Sequence, residues 1–201
     1  MTGTLLIVLA YLIGSFPSAL IIGKGFFRKD IRQFGSGNLG STNAYRVLGK
    51  YGGTAVLVLD IGKGTLAAYL ASRFVGPIHP LIISIFALIG HIYPLFAGFR
   101  GGKAVATAGG IIIYFLPAAI LLLLSVFVIS LRIWKLVSLS SSLMALSLIL
   151  IAWFGGNWGF FGHSLDTTSK VMLSLFGLLI IFKHIPNYKR MWGGTENKVR
   201  F

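Results

Sequence analysis

Residues 104–131 read AVATAGGIIIYFLPAAILLLLSVFVISL, a run with no charged side chain and a proline, Pro117, at its centre. As one helix it would measure about 42 Å, against a hydrocarbon core of roughly 30 Å. It is therefore either one tilted, kinked span or two short helices that meet at Pro117, and the choice decides the topology of everything that follows. Outward from this run, 1–23, 74–99 and 136–165 also lack Lys, Arg, Asp and Glu. Hydrophobic residues make up 56% of the 201 residues, against 11% charged, so the chain reads as a polytopic, all-α membrane protein. Helices are expected because they satisfy their own backbone hydrogen bonds in lipid. The expected spans are 4–23, 52–73, 80–97, 104–115, 118–131, 138–154 and 170–183.

Charge arbitrates between the two readings, because basic residues mark cytoplasmic loops. Splitting the run at Pro117 gives seven transmembrane helices, two of them short, with the N-terminus outside and the C-terminus cytoplasmic. Lys24, Arg28, Lys29, Arg32, Arg46, Lys50, Arg100, Lys103, Arg132, Lys135, Lys183, Lys189, Arg190, Lys198 and Arg200 then lie inside, 15 of the 18 basic residues. Arg73 and Lys170 lie outside and Lys63 within a span. A single span inverts the second half and leaves nine inside against eight outside, so seven is the expectation. The net charge of +14 is thus mainly a topological label. It is spread too thinly for a nucleic-acid surface, and no nucleic-acid partner is expected. The Gly- and aromatic-rich segment 155–169 reads as an external loop, and residues 1–201 as a single membrane-embedded domain.

Polar residues cluster where that topology places the cytoplasm. Residues 35–46, GSGNLGSTNAYR, combine glycines whose N–H groups can converge on an anion with the donors Ser36, Asn38, Ser41, Thr42 and Asn43 and the planar cation of Arg46. An ordinary turn needs fewer such residues. Gly90-His91-Ile92-Tyr93-Pro94 is followed by Gly101-Gly102-Lys103 immediately before an apolar helix, which is expected to offer unpaired N–H groups and a cation at a helix start. It is not a Walker A loop, since no Ser or Thr follows Lys103. His91 by itself reads as a buried histidine with one hydrogen bond. Ser138, Ser140, Ser141 and Ser142 open the sixth span, and Lys183 to Arg190 follow the last. Asp60 and Lys63, three apart in the second span, can pair on one helix face.

Only four carboxylates exist, Asp30, Asp60, Asp166 and Glu196, and cysteine is absent. No metal-ligand spacing, no histidine followed by Asp at the four-residue interval of another acyltransferase class and no Gly-x-Ser-x-Gly elbow is present. No metal or cofactor is expected. The pattern describes a cationic, glycine-lined receptor for phosphate groups whose substrates arrive already activated.

Those motifs, GSGNLGSTNAYR (35–46), GHIYP (90–94) with GGK (101–103), VSLSS (137–141) and HIPN (184–187), resemble in order and over nearly the whole chain the bacterial acyl-phosphate-dependent glycerol-3-phosphate acyltransferases. The resemblance implies a seven-helix enzyme of the bacterial inner membrane, working in phospholipid biosynthesis with its active site toward the cytoplasm. It would move a fatty acyl group from acyl phosphate to the sn-1 hydroxyl of glycerol 3-phosphate, giving lysophosphatidic acid and phosphate. Ser36, Gly37, Asn38, Gly40, Thr42 and Ser141 would bind acyl phosphate, and Arg46, Lys103, His184 and Asn187 glycerol 3-phosphate. Ser36, Lys103 and His184 would be catalytic, and the enzyme that makes acyl phosphate is an expected partner besides membrane lipid. Two positions depart from the family pattern: Ala104 stands where Gly is usual and Tyr188 where an aliphatic residue is usual. An acyl phosphate needs no covalent enzyme intermediate, so direct attack, with the donor's phosphate or His184 taking the proton, is the expected chemistry. The competing expectation is a transporter of a phosphorylated small molecule, which inverted repeats and a midplane site would accompany; neither is visible.

Overall fold

A computed structural model of the chain describes residues 2–74, 76–155 and 165–199. The regular elements among them are all α or 3-10 helices, and no strand occurs there. The chain forms two compact units, Met1–Phe115 and Leu116–Phe201.

In the first unit, α1 (Gly3–Ser15) and α2 (Ser18–Phe27) divide what the sequence suggests is one span over 4–23. The break is at Phe16 and Pro17, where proline has no N–H to continue the ladder and the Ser18 N–H turns to the Phe16 carbonyl at 3.0 Å. A 3-10 turn at Ile31–Gln33 leads to α3 (Ser41–Ser72), which starts eleven residues before the expected 52 and is interrupted at Gly49 (φ 74°, ψ −170°). Then come α4 (Pro80–Ile92), a second 3-10 turn at Leu95–Ala97, and α5 (Val105–Phe115).

Small residues decide how these helices meet. A Cβ on Gly14 would collide with the backbone of Ala87, and one on Gly90 with that of Tyr11, so α1 and α4 touch backbone to backbone. Gly64 against Thr107 and Gly110 against Ile61 do the same for α3 and α5. In lipid no hydrophobic effect drives helices together, and close backbone approach through small residues supplies van der Waals contact instead. Leu6, Ala10, Ala67, Ala71, Ile83 and Ala87 fill the space between α1, α3 and α4.

The second unit contains α6 (Pro117–Trp134), α7 (Val137–Phe154), α8 (Thr167–Lys183) and α9 (Ile185–Trp192). The uncharged run does break at Pro117, which takes the first position of α6, where its missing N–H costs nothing. The helix it opens is not short, however: it runs 18 residues to Trp134. A left-handed residue, Lys135 (φ 59°), reverses the chain into α7. Asp166 caps α8 by accepting the Ser169 N–H at 2.9 Å, and the Val199 N–H returns to the Lys135 carbonyl at 2.8 Å. Of the expected external loop at 155–169, residues 156–164, with its aromatics, lie outside the described residues.

Among the described residues, five helical stretches are long and apolar enough to cross a membrane, six if α8 and α9, bent by 44°, are counted as one span. The remaining expected span, α5, has 11 residues, about 17 Å and roughly half of a hydrocarbon core. Large apolar side chains such as Leu121, Ile129, Ile133 and Phe182 are more than half exposed, as lipid-facing surface would be. The chain is an all-helical integral membrane protein.

Candidate active site

The loop before α3 is held by one buried side chain. Asn43, 1% exposed, donates its amide to the carbonyls of Ile31 (3.0 Å) and Phe34 (3.2 Å) and accepts the Ser36 N–H at 2.9 Å. Gly35 (φ 61°) lies so close that a Cβ would collide with the Asn43 amide oxygen. Asn43, which reads in the sequence as one of several neutral donors for an anion, is therefore the loop's internal clamp. Asp30 secures the entry: it accepts from Arg32 (2.6 Å) and pairs with Lys24 (3.2 Å). The bond from the Arg32 guanidinium holds its carboxyl well below the usual carboxylate range, against the opposing effect of burial.

The same accounting shows which donors remain. The Gly37 N–H is taken by the Phe34 carbonyl (3.1 Å) and the Ser36 N–H by Asn43, so of the N–H groups expected around Gly37 and Gly40 to meet an anion, Gly37's own is already engaged. From Asn38 through Thr42, by contrast, no backbone N–H meets a protein acceptor among the described residues. The first bonded amides of α3 are those of Asn43 and Ala44, both to the Gly40 carbonyl. Unpaired amides at the start of a helix need a partner and carry partial positive charge. The Ser36 hydroxyl, with Asn38 Nδ2 at 3.4 Å, flanks this row, Thr42 is half-buried and Arg46, one turn further on, is exposed.

The second anion motif also differs from its sequence reading. Gly101 and Gly102 spend their N–H groups on the carbonyls of Ile92 (3.2 Å) and His91 (3.1 Å), folding the segment back over the end of α4. What it presents is the half-buried Lys103. Ala104 follows in the left-handed region (φ 60°), a conformation that glycine adopts without strain and that costs an alanine roughly 1–2 kcal/mol. His91 is buried as expected, 5% exposed, with its Nδ1 at 3.1 Å from the Thr107 hydroxyl. Leu39, from the first loop, and Gly101 line one small cavity of about 10 Å³, so the two motifs share a wall within the first unit.

In the second unit, Ser140 and Ser142 turn their hydroxyls back to the carbonyls of Leu136 (3.0 Å) and Ser138 (2.9 Å). Ser141, 2% exposed, makes no such back-bond. Ser142 also meets the Tyr188 hydroxyl at 2.6 Å, joining α7 to α9. His184 sits at the α8–α9 bend, its Nδ1 at 2.8 Å from the Ile180 carbonyl. That bond requires the proton on Nδ1, so in the neutral ring Nε2 is the basic nitrogen. The tyrosine that departs from the family pattern stacks beside His184, with centroids 6.5 Å apart. Asn187 donates to Glu196 at 2.6 Å, and Glu196 in turn accepts from Arg190 at 2.8 Å. Burial pushes the Glu196 carboxyl up, but the bonds from Asn187, Arg190 and Ser138 outweigh it, leaving it below its usual range. Glu196 was not singled out by the sequence reading, because nothing in the tail's composition marks which acid turns back onto a motif.

All four carboxylates of the chain are thus engaged: Asp30 with Lys24 and Arg32, Asp60 with Lys63 at 2.8 Å and Ser18 at 2.9 Å, Asp166 as a helix cap, and Glu196 with Asn187 and Arg190.

A family model described as glycerol-3-phosphate acyltransferase matches residues 4–194. The glycerol-3-phosphate acyltransferase of Bacillus subtilis (strain 168) is 45% identical over 197 residues, covering 98% of this chain and 97% of that one. That of Listeria monocytogenes serovar 1/2a is 46% identical over 200 residues, 98% and 96% of the two chains. Among solved structures, the integral membrane glycerol 3-phosphate acyltransferase PlsY (YgiH) in its glycerol 3-phosphate form superimposes with a TM-score of 0.88 at 32% identity, over 98% of this chain and 96% of that one. Its lysophosphatidic acid form gives 0.85, also at 32%, over 98% and 95%.

Proposed function

The chain belongs to the glycerol-3-phosphate acyltransferase family, and from that premise we propose that it transfers a fatty acyl group from acyl phosphate to the sn-1 hydroxyl of glycerol 3-phosphate. Lysophosphatidic acid and inorganic phosphate are the products. The observation that carries the donor assignment is the row of unpaired amides from Asn38 through Thr42, which suits a doubly charged phosphate head better than a neutral thioester. Ser36, Asn38, Gly40, Thr42 and Ser141 take the acyl-phosphate head, with Gly37 serving the loop's shape rather than donating. Arg46, Lys103, His184 and Asn187 take glycerol 3-phosphate.

In the reaction, the sn-1 oxygen attacks the acyl carbonyl carbon, the bond from that carbon to the phosphate oxygen breaks, and the hydroxyl proton passes to the departing phosphate. No covalent enzyme intermediate forms. With every carboxylate already paired or capping a helix, the donor's own phosphate is the base best placed for that proton. Lys103 and Ser36 stabilise charge as it develops on the leaving group, and clamping both phosphates fixes the geometry of attack. His184 holds the acceptor and is the alternative base.

The protein is a seven-span enzyme of a bacterial inner membrane in this reading, N-terminus outside, with its site on the cytoplasmic side and one acyltransferase domain over 1–201. The family match across 4–194 supports a single domain, and the asymmetry of the basic residues supports the orientation. The enzyme that produces acyl phosphate is its metabolic partner.

The test is purified protein in vesicles given acyl phosphate and glycerol 3-phosphate, with phosphate release and lipid product followed together. Release that needs both substrates is expected. Release without glycerol 3-phosphate would instead mark a phosphatase, and uptake without release a transporter.

A further inference from the structure

Beneath the two anion motifs lies a set of buried polar side chains that the proposed reaction does not use. Asp60 and Lys63, 1% and 8% exposed, pair at 2.8 Å. The same Asp60 oxygen accepts from the Ser18 hydroxyl at 2.9 Å and lies 3.7 Å from His91 Nδ1. Lys63 also donates to the Phe16 carbonyl at 3.1 Å, at the break between α1 and α2. The second Asp60 oxygen is buried without a hydrogen-bond partner among the described residues.

Such a cluster is a poor device for stability. Desolvating two charges offsets most of their attraction, and apolar residues of similar volume serve as well or better; an unpartnered buried oxygen adds a further cost. What the cluster does achieve is geometric. One Asp60 oxygen holds Ser18 of α2 and Lys63 of α3, and Lys63 ties in the α1–α2 break through Phe16. His91 of α4 faces the same oxygen, and through His91 the cluster reaches the segment that carries Lys103. The His91 carbonyl accepts the Gly102 N–H, and the imidazole lies so close under Gly102 that a Cβ there would collide with its Nε2. The Thr107 hydroxyl, at the opening of α5, grips the other ring nitrogen. The ring is thus a spacer of fixed orientation on which Gly101–Gly102 rests.

We propose that Asp60, Lys63 and Thr107 are positioning residues, which lock the His91 ring and thereby set the height and direction at which Lys103 meets the acceptor's phosphate. This inference rests on the assignment of Lys103 to glycerol 3-phosphate.

The separating experiment is steady-state kinetics of Thr107→Val and Thr107→Ser in the vesicle assay, with Asp60→Asn and Lys63→Met alongside. Removing one buried hydrogen bond to the ring is expected to raise KM for glycerol 3-phosphate about five- to tenfold. Turnover at saturation should fall as well, because Lys103 also acts on the leaving group, while KM for acyl phosphate should change less than about twofold, and Thr107→Ser should restore the parent values. KM does not depend on how much enzyme is active, so a cluster that merely supports folding would lower the yield of active protein and leave KM untouched. That outcome overturns the inference. Should Thr107→Val fail to give folded protein, Ser18→Ala, which removes one donor to Asp60, gives the same readout. An inactive parent would instead overturn the proposed function.

Discussion

Three glycines in the first loop, substituted one at a time by alanine, separate the loop's architecture from its use. Gly35 sits at φ 61° with the Asn43 amide oxygen where a Cβ would go. Forcing alanine into the left-handed region costs roughly 1–2 kcal/mol, and driving Asn43 off the Ser36 N–H leaves buried groups unpaired at about 1–3 kcal/mol more. Gly37 is also left-handed (φ 70°), but the nearest atom to a Cβ there is the Arg32 carbonyl oxygen at 3.2 Å, so the backbone term of roughly 1–2 kcal/mol stands nearly alone. At Gly40, extended at φ −99°, a Cβ meets nothing within 4 Å. Its cost to folding is confined to a poorer helix cap, below about 1 kcal/mol. If the loop must hold this shape to receive acyl phosphate, Gly35→Ala raises the donor's KM about a hundredfold and Gly37→Ala about tenfold. Gly40→Ala raises KM while leaving the thermal midpoint of the purified protein within a few degrees of the parent, because its Cβ takes room that the anion needs. Kinetics against acyl phosphate, read beside thermal inactivation, checks all three. The reasoning is refuted if Gly35→Ala binds the donor like the parent, or if Gly40→Ala lowers the thermal midpoint as far as Gly35→Ala does.

Asn43→Ala removes the loop's clamp and should lower stability by about 2–4 kcal/mol, more than any other single polar truncation in the loop, measurable as a drop in the inactivation midpoint. His184→Ala should weaken glycerol 3-phosphate binding while retaining turnover at saturating substrate; abolished turnover with intact acceptor binding would show that the imidazole, not the donor phosphate, takes the proton. Glu196 has a depressed pKa, so its contribution is fully present above the unfolded value near 4.5 and is lost as pH falls through the lower folded value. The parent should therefore lose midpoint below about pH 4.5 more steeply than Glu196→Gln, with Asp30 supplying the acid sensitivity that both share.

Much of this arrangement was legible from residue order. The break at Pro117 follows from length and from proline's missing N–H, and His91 is buried as its apolar neighbours suggest. The break at Pro17 is not legible, because the apolar run continues unbroken across it and hydropathy does not register a two-residue gap in hydrogen bonding. The first turns of α3 were hidden for the opposite reason, since Ser41, Thr42 and Asn43 favour caps and turns over helix interiors. The least legible quantity is which N–H groups are spoken for. Gly37, Gly101 and Gly102 look as available as Gly40 in the sequence, yet their amides close turns onto Phe34, Ile92 and His91. Composition marks where anion donors are abundant, and only the folded backbone decides which of them are left over.

The hydrogen bonds that bring Glu196 to Asn187 and Val199 to Lys135 also impose an order in time. On the ribosome, Asn187 is made nine residues before the acid that orients it, and Lys135 long before the amide that it receives. A chain interrupted between Trp192 and Glu196 would already hold every helix described here and every side chain assigned to substrate, and still lack the contact that aims one of them. Synthesis through Glu196 and Val199 is then what completes the setting of Asn187 and closes the second unit onto Lys135.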